Sequence, residues 1–335
     1  MRSPKQRLAV FSVLVGIAIG FTGCGGHKSG PVPARTPTPD AVAAAAPLAD
    51  VLHLVAAAPA IKTLPSGLTP DLADVSKDLG VDESRTGRCF LGIEQTESPA
   101  CVFGDPTGSR TVVLLGDSHA FMWMPAFDTL GKRLHWKVVL LSKAACPPGD
   151  MSLYNTTARA PYPQCDRWHD YAVARINQMN PDLVVLTTAT VGLEDGDGKP
   201  VSGDVWSAAL QKTLNLLTSS KTKRVVLGDI PRLGIGPNAF ISGPECLAAH
   251  EHDVQTCSTP TQVAVSQTLN QAEQTAAAQA AAQYVDVIPW FCSSACTAVI
   301  GNMVVYWDSA HITRTYATYL SGALQSALQP IVDAG

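Results

Sequence analysis

Charge is scarce in this chain. Of 335 residues, 16% are Asp, Glu, Lys or Arg, and 28 acidic against 24 basic side chains leave a net charge of −4. No basic stripe is available to neutralise a row of phosphates, which excludes a nucleic-acid partner. After the amino-terminal segment there is no further apolar run of the length that spans a bilayer. Tightly spaced metal ligands are also missing. Cys292-x-x-x-Cys296 alone comes near, and His250-x-His252, with Glu251 and Asp253 in a polar loop, reads as solvated rather than ligating. Neither a metal nor a cofactor is expected. Against these absences stands a hydrophobic content of 46%, enough for a sizeable core in one large domain or two ordinary ones. What remains is a globular extracytoplasmic enzyme or binding module.

The amino terminus reads as a targeting segment. Arg2, Lys5 and Arg7 precede an apolar run, Leu8 to Phe21, too short for a comfortable span. The run ends at Phe21–Thr22–Gly23–Cys24, which resembles the bacterial lipobox, although leucine is more usual where Phe21 stands. Residues 1–23 are therefore expected to be a lipoprotein signal peptide, with lipidated Cys24 as the only membrane attachment; the alternative is ordinary secretion with cleavage near Gly23. Pro31, Pro33, Pro37 and Pro39 in an Ala/Pro-rich stretch suit an extended spacer. Residues 24–80 are expected to be a weakly ordered tether, and 81–335 the folded domain, starting near Val81. Within the tether, Ala41–Ala58 has local helix potential.

Removing Cys24 from the nine cysteines leaves an even set in an exported chain, which suggests disulfides. They fall in close pairs along the sequence, predicting Cys89–Cys101, Cys146–Cys165, Cys246–Cys257 and Cys292–Cys296. Each bond would pin a loop, contributing about 2–4 kcal/mol.

Short apolar runs alternate with helical ones. Strands are expected at Thr111–Leu115, Lys137–Leu141, Leu183–Thr187, Arg224–Gly228 and Tyr284–Ile288. Helices are expected at Ala120–Leu134, Cys165–Met179, Val205–Ser219, Thr261–Ala282 and Thr313–Leu328. Continuous apolar strands separated by helices indicate an α/β fold whose mainly parallel sheet is covered on both faces, with ligands outside the carboxyl ends of the strands.

Gly116–Asp117–Ser118 follows the first of these strands and opens a helix, so the Ser118 hydroxyl falls at that edge, where backbone N–H groups favour a developing negative charge. Downstream, Trp307–Asp308–Ser309–Ala310–His311 supplies a carboxylate and an imidazole three residues apart. Each segment has a plain reading, Asp117 or Ser118 as one helix cap and Asp308 or Ser309 as another. Together they compose a serine nucleophile, a His311 base and an orienting Asp308.

These residues carry a family resemblance. Gly116–Asp117–Ser118 and Asp308-x-x-His311 resemble the first and last blocks of the SGNH (GDSL-type) hydrolase superfamily. The extended Gly116–Asp117–Ser118–His119–Ala120 is similar to SGNH domains associated with integral-membrane acyltransferases of envelope polysaccharides. Cys146–Pro147–Pro148, Pro231, Trp290–Phe291–Cys292 and His311–Ile312–Thr313 fit the same group. The resemblance spans about Cys89 to Leu328 and implies a flavodoxin-like three-layer α/β/α fold and ester chemistry on O-acyl groups of glycans.

One block departs. The Gly-x-Asn-Asp expected after the third strand is replaced by Thr187–Thr188–Ala189–Thr190–Val191–Gly192, leaving the asparagine that helps bind the oxyanion unassigned. The Ser118 N–H supplies one donor; Thr188, Thr190, a nearby backbone N–H or Gly149 are the candidates for the second. His119 either lines the acyl pocket or packs in the first helical turn. Trp123 either stacks on a sugar ring or packs in the core, the plainer reading. His169 is taken as structural.

The expected protein is a lipid-anchored serine esterase or O-acyltransferase on an acylated cell-envelope glycan or glycolipid, working alone or beside an integral-membrane acyltransferase. Two non-catalytic readings compete with it: a glycan-binding or assembly lipoprotein that keeps the fold, and a transport-associated binding protein.

Overall fold

The computed structural model describes residues 46–81, 88–236 and 239–334, so the expected signal peptide, Cys24 and the proline-rich stretch lie outside the described residues. The central sheet has seven strands: β1 (Phe90–Leu91), β2 (Val102–Gly104), β3 (Arg110–Gly116), β4 (Trp136–Lys143), β5 (Leu183–Thr187), β6 (Lys223–Leu227) and β7 (Gln283–Val285). Its order is β1-β4-β3-β5-β6-β7, all parallel, with β2 antiparallel to β4.

The apolar runs are continuous because both faces are covered. Val112, Leu114, Val138, Leu140 and Val185 face one core, packed with α1 (Leu48–Ala57), α2 (Ser118–Leu134), α6 (Arg314–Tyr319) and α7 (Ser321–Asp333). Val113, Leu115, Val139, Leu141 and Leu186 face the other, against α3 (Pro163–Met179), α4 (Gly203–Leu216) and α5 (Gln267–Gln279). This is the expected three-layer α/β/α architecture.

Four expectations need correction. The folded body begins by Ala46, not near Val81. Val51, Val55, Ala58, Leu68 and Val75 are buried, the Leu64 N–H donates to the Glu251 carbonyl (2.7 Å), and the Arg314 side chain donates to the Gly80 carbonyl (2.8 Å). A stripe of apolar side chains at helical spacing, diluted by alanine and proline, was enough to dock the segment.

The helix expected over Thr261–Ala282 is two pieces, Thr261–Ala264 and α5, because Val265 is extended. The last helix is also divided, into α6 and α7. Finally, Tyr284–Ile288 keeps only Gln283–Val285 as strand, since Ile288–Trp290, with its proline, turns into a 3-10 helix. The four disulfides join the predicted pairs.

Candidate active site

The site grows from the end of β3. Gly116 passes so close to β5 that a Cβ there would overlap the Thr187 carbonyl oxygen. The next residue, Asp117, is buried and caps α2, its Oδ1 accepting from the His119 N–H (2.8 Å). Its Oδ2 accepts from the Thr188 hydroxyl (2.5 Å) and the Ala189 N–H (3.0 Å), while its carbonyl accepts from the Ser142 hydroxyl (2.6 Å). Asp117 thus ties the β3–α2 turn to the ends of β4 and β5. Ser118 is left as the first residue of α2, with its N–H among the unsatisfied donors at the positive end of a helix.

From 193 residues away, His311 Nε2 comes to 2.8 Å from Ser118 Oγ. His311 Nδ1 lies 2.9 Å from Asp308 Oδ2, and Asp308 Oδ1 accepts from the N–H groups of Ala310 (2.6 Å) and His311 (2.8 Å). Those contacts fold Asp308–His311 into a tight loop and fix the carboxylate. Burial pushes the Asp308 carboxyl up, but the His311 hydrogen bond and charge, with the two amides, outweigh it and hold it below its ordinary value. Asp308 does not cap the following helix. Thr313 does, accepting from the Tyr316 N–H (3.1 Å).

Ser118 and His311 open onto a cleft of ≈ 440 Å³ walled by Leu153–Thr157 and by Val191–Glu194, which are joined where the Tyr154 N–H donates to the Glu194 carbonyl (3.1 Å). The Cys146–Cys165 disulfide closes the loop that carries the first wall. A second cavity of ≈ 700 Å³ shares Val191–Glu194 and Arg232 with the cleft, and its remaining lining is mostly apolar.

The residues singled out for the oxyanion fare differently. The Thr188 hydroxyl is committed to Asp117, and the Thr190 N–H and hydroxyl both donate to Asp229 Oδ2 (2.8 and 2.9 Å). Gly149 packs against Trp206 of α4 and does not line the cleft. Trp123 is fully buried, edge-on to Trp290 and Phe291 at 6.1 and 6.2 Å, so it belongs to the core and not to a sugar platform. His169 is structural: its Nε2 lies 2.9 Å from the Thr213 hydroxyl and 3.2 Å from the Pro148 carbonyl.

His119 satisfies both of its readings. It lines the cleft, yet it is 1% exposed, with Nδ1 2.7 Å from Asp229 Oδ1. Burial pushes the Asp229 carboxyl up, but His119, Arg232 and the Thr190 amide together hold it below its ordinary value.

Three residues escaped the sequence reading. Asp229 and Arg232 flank Pro231, whose fit to the family pattern was the available signal. Asn155 is 97% buried in the cleft wall, its Oδ1 accepting from the Ala158 N–H (2.7 Å). That bond fixes the amide's orientation and leaves Nδ2 without a partner.

Comparison with known families decides the identity. The SGNH domain family (fused to AT3 domains) matches residues 88–326. This chain belongs to the SGNH domain family. Among solved structures, the SGNH domain is similar to the periplasmic domain of a lipopolysaccharide acetyltransferase from Salmonella ser. Paratyphi A, at 13% identity and TM-score 0.54, over 79% of this chain and 98% of that one. It is also similar to a GDSL-like lipase from Bacteroides thetaiotaomicron, at 13% identity and TM-score 0.39, over 68% of this chain and 89% of that one. No curated protein matches the chain. Membership supports esterase- or acyltransferase-like chemistry for this SGNH domain.

Proposed function

We propose that this SGNH domain is an extracytoplasmic serine esterase or O-acyltransferase acting on O-acyl groups of cell-envelope glycans or glycolipids. The observation that carries the proposal is the continuous Ser118–His311–Asp308 chain at the mouth of a cleft. Ser118 Oγ attacks the acyl carbonyl as its proton passes to His311 Nε2, while Asp308 holds the Nδ1–H tautomer and steadies the imidazolium. The negative charge on the carbonyl oxygen meets the Ser118 N–H at the α2 terminus and Asn155 Nδ2, the unengaged donor of the cleft wall. Collapse of the tetrahedral intermediate breaks the ester bond, and the leaving alkoxide takes the proton from His311. Water or a sugar hydroxyl, deprotonated by His311, then attacks the acyl-Ser118 and releases either the acid or a new ester.

Four disulfides suit an oxidising compartment. Lipidation at Cys24 would hold the domain at a membrane face, beside acylated glycan and any integral-membrane acyltransferase that supplies the acyl group. The family's fusion to AT3 domains and the likeness to a lipopolysaccharide acetyltransferase domain favour that setting.

The test is release of p-nitrophenol from p-nitrophenyl acetate by the wild type and by Ser118→Ala. Loss of turnover in a folded alanine variant, with labelling of wild-type Ser118 by a fluorophosphonate, supports the enzyme. Equal slow release from both leaves a glycan-binding or assembly lipoprotein that keeps the fold.

A further inference from the structure

Arg232 stands between the reacting groups and the larger cavity. It follows β6 by a few residues, is 9% exposed, and lines both the Ser118 cleft and the ≈ 700 Å³ cavity beside it. Its guanidinium lies over the Phe240 ring, 5.3 Å from the centroid, which fixes its plane. Its Nε is buried with no hydrogen-bond partner, and among the described residues no carboxylate forms an ion pair with the side chain. Asp229 feels the Arg232 charge, but its contacts go to His119 and twice to Thr190. Glu194, which lines both cavities together with Arg232, is only partly buried and forms no ion pair with it.

A cation so placed has lost most of its water, and although the charge of Asp229 acts on it, no carboxylate of the described residues pairs with its fork. Filling the adjoining cavity with a neutral tail would strip the remaining hydration and offer nothing in return. Most of the wall there is apolar, Val201, Val263, Val265 and Leu269 among it, and the polar Glu194, Gln262 and Ser266 that share it form no ion pair or hydrogen bond with the guanidinium. A ligand's carboxylate can, because the planar fork of an arginine matches it through two parallel charge-assisted hydrogen bonds.

We infer that Arg232 is the anion-recognition residue of this site, and that the ester processed at Ser118 carries a carboxylate near its reacting carbonyl. The inference rests on the esterase or acyltransferase reading above and adds a substrate class to it. The carboxylate is carried either by the acyl group, as in the half-ester of a dicarboxylic acid, or by the alcohol, as in an acylated acidic sugar. The chemistry at Arg232 is the same.

The experiment uses two matched pairs. Mono-p-nitrophenyl glutarate against p-nitrophenyl pentanoate places the charge on the acyl side; 4-acetoxybenzoate against phenyl acetate places it on the alcohol side. Arg232→Gln is expected to lower kcat/KM for the charged member of one pair by roughly tenfold or more, with its neutral partner changed by less than about threefold, and Arg232→Lys to recover part of the loss. The pair that responds identifies the side that bears the anion. Equal changes within both pairs, or no change in either, overturn the inference.

Binding of glutarate and of 4-hydroxybenzoate to Ser118→Ala, with and without Arg232→Gln, gives a readout that needs no turnover. Arg232-dependent binding of one anion, weakened by salt, in a protein whose wild type hydrolyses nothing would sink the enzyme and keep the anion site. No Arg232-dependent binding of either anion, in a protein whose wild type does hydrolyse esters, would sink the anion site and keep the enzyme.

Discussion

The imidazoles of His119 and His311 meet edge to face, with ring centroids 5.4 Å apart, and each has its own aspartate: Asp308 for His311, Asp229 for His119. The pairs differ in exposure. The His311 and Asp308 side chains are 21% and 35% accessible, whereas those of His119 and Asp229 are 1% and 3%. The first pair reaches the Ser118 hydroxyl through His311 Nε2, whereas the second holds the Thr190 hydroxyl through Asp229. The second pair is buried.

Asparagine substitutions separate the two pairs. Asp308→Asn is expected to lower kcat by roughly 10⁴ through loss of the correct His311 tautomer, while the melting temperature stays close to that of the wild type. Asp229→Asn leaves His119 without its carboxylate and weakens both Thr190 contacts, so about 3–5 kcal/mol of stability is lost, with a much smaller fall in kcat per folded molecule. Thermal melts and active-site-titrated turnover decide it; the reverse pattern would make His119–Asp229 the working pair.

Asn155, whose Nδ2 has no partner, is the second oxyanion donor of the proposed mechanism, in place of the absent Gly-x-Asn-Asp. Asn155→Ala should reduce kcat by about 10²–10³ while KM for a neutral acetate ester changes little. An unchanged kcat in a folded variant would return the role to backbone donors alone.

Glu273 on α5 gives a pH signature. It is 1% exposed, its Oε2 has no partner, and burial, reinforced by the negative charge of Asp229, raises its carboxyl well above the ordinary value. The folded protein therefore holds a proton that the unfolded chain releases near about pH 4.3. The stability linked to Glu273 is complete below that value and declines as pH rises toward the folded one, by up to about 1.4 kcal/mol per pH unit. Glu273→Gln should remove this decline, so that denaturant midpoints measured as pH rises from about 5 diverge in favour of the variant. Parallel curves would mean that Glu273 carries no such linkage.

The segment before Val81 is structural. Val51 on α1 is fully buried in the core shared with α2 and α7. Val51→Asp should cost several kcal/mol by burying an unpaired carboxylate, whereas the same change at the exposed Leu52 should cost under about 1 kcal/mol. Equal, small effects in urea denaturation would restore the tether.

Much of this was legible in the linear chain. Leu183–Thr187 is a strand at the expected residues, and Thr111–Leu115 differs by one residue at each end, because a strand buried on both faces is written as an unbroken β-branched run. The Gly116–Asp117–Ser118 turn and the Asp308-x-x-His311 loop were visible because each chemistry depends on local spacing. The disulfides were visible because every pair closes a short loop.

What the sequence determined by itself is therefore whatever local geometry enforces: which runs become strands, which turn exposes a hydroxyl, which cysteines lie near enough to join. Tertiary structure alone decided the rest. The stretch from Ala46 to Val81 docks because a core was there to receive Val51 and Val55, and Val265 interrupts a helical pattern that nothing local forbade. Thr188 and Thr190 look like free donors until the fold brings Asp117 and Asp229 to claim them, while Asn155 Nδ2 and Arg232 Nε are buried without a partner. A hydrogen bond is spent or available only after residues far apart in the chain have met.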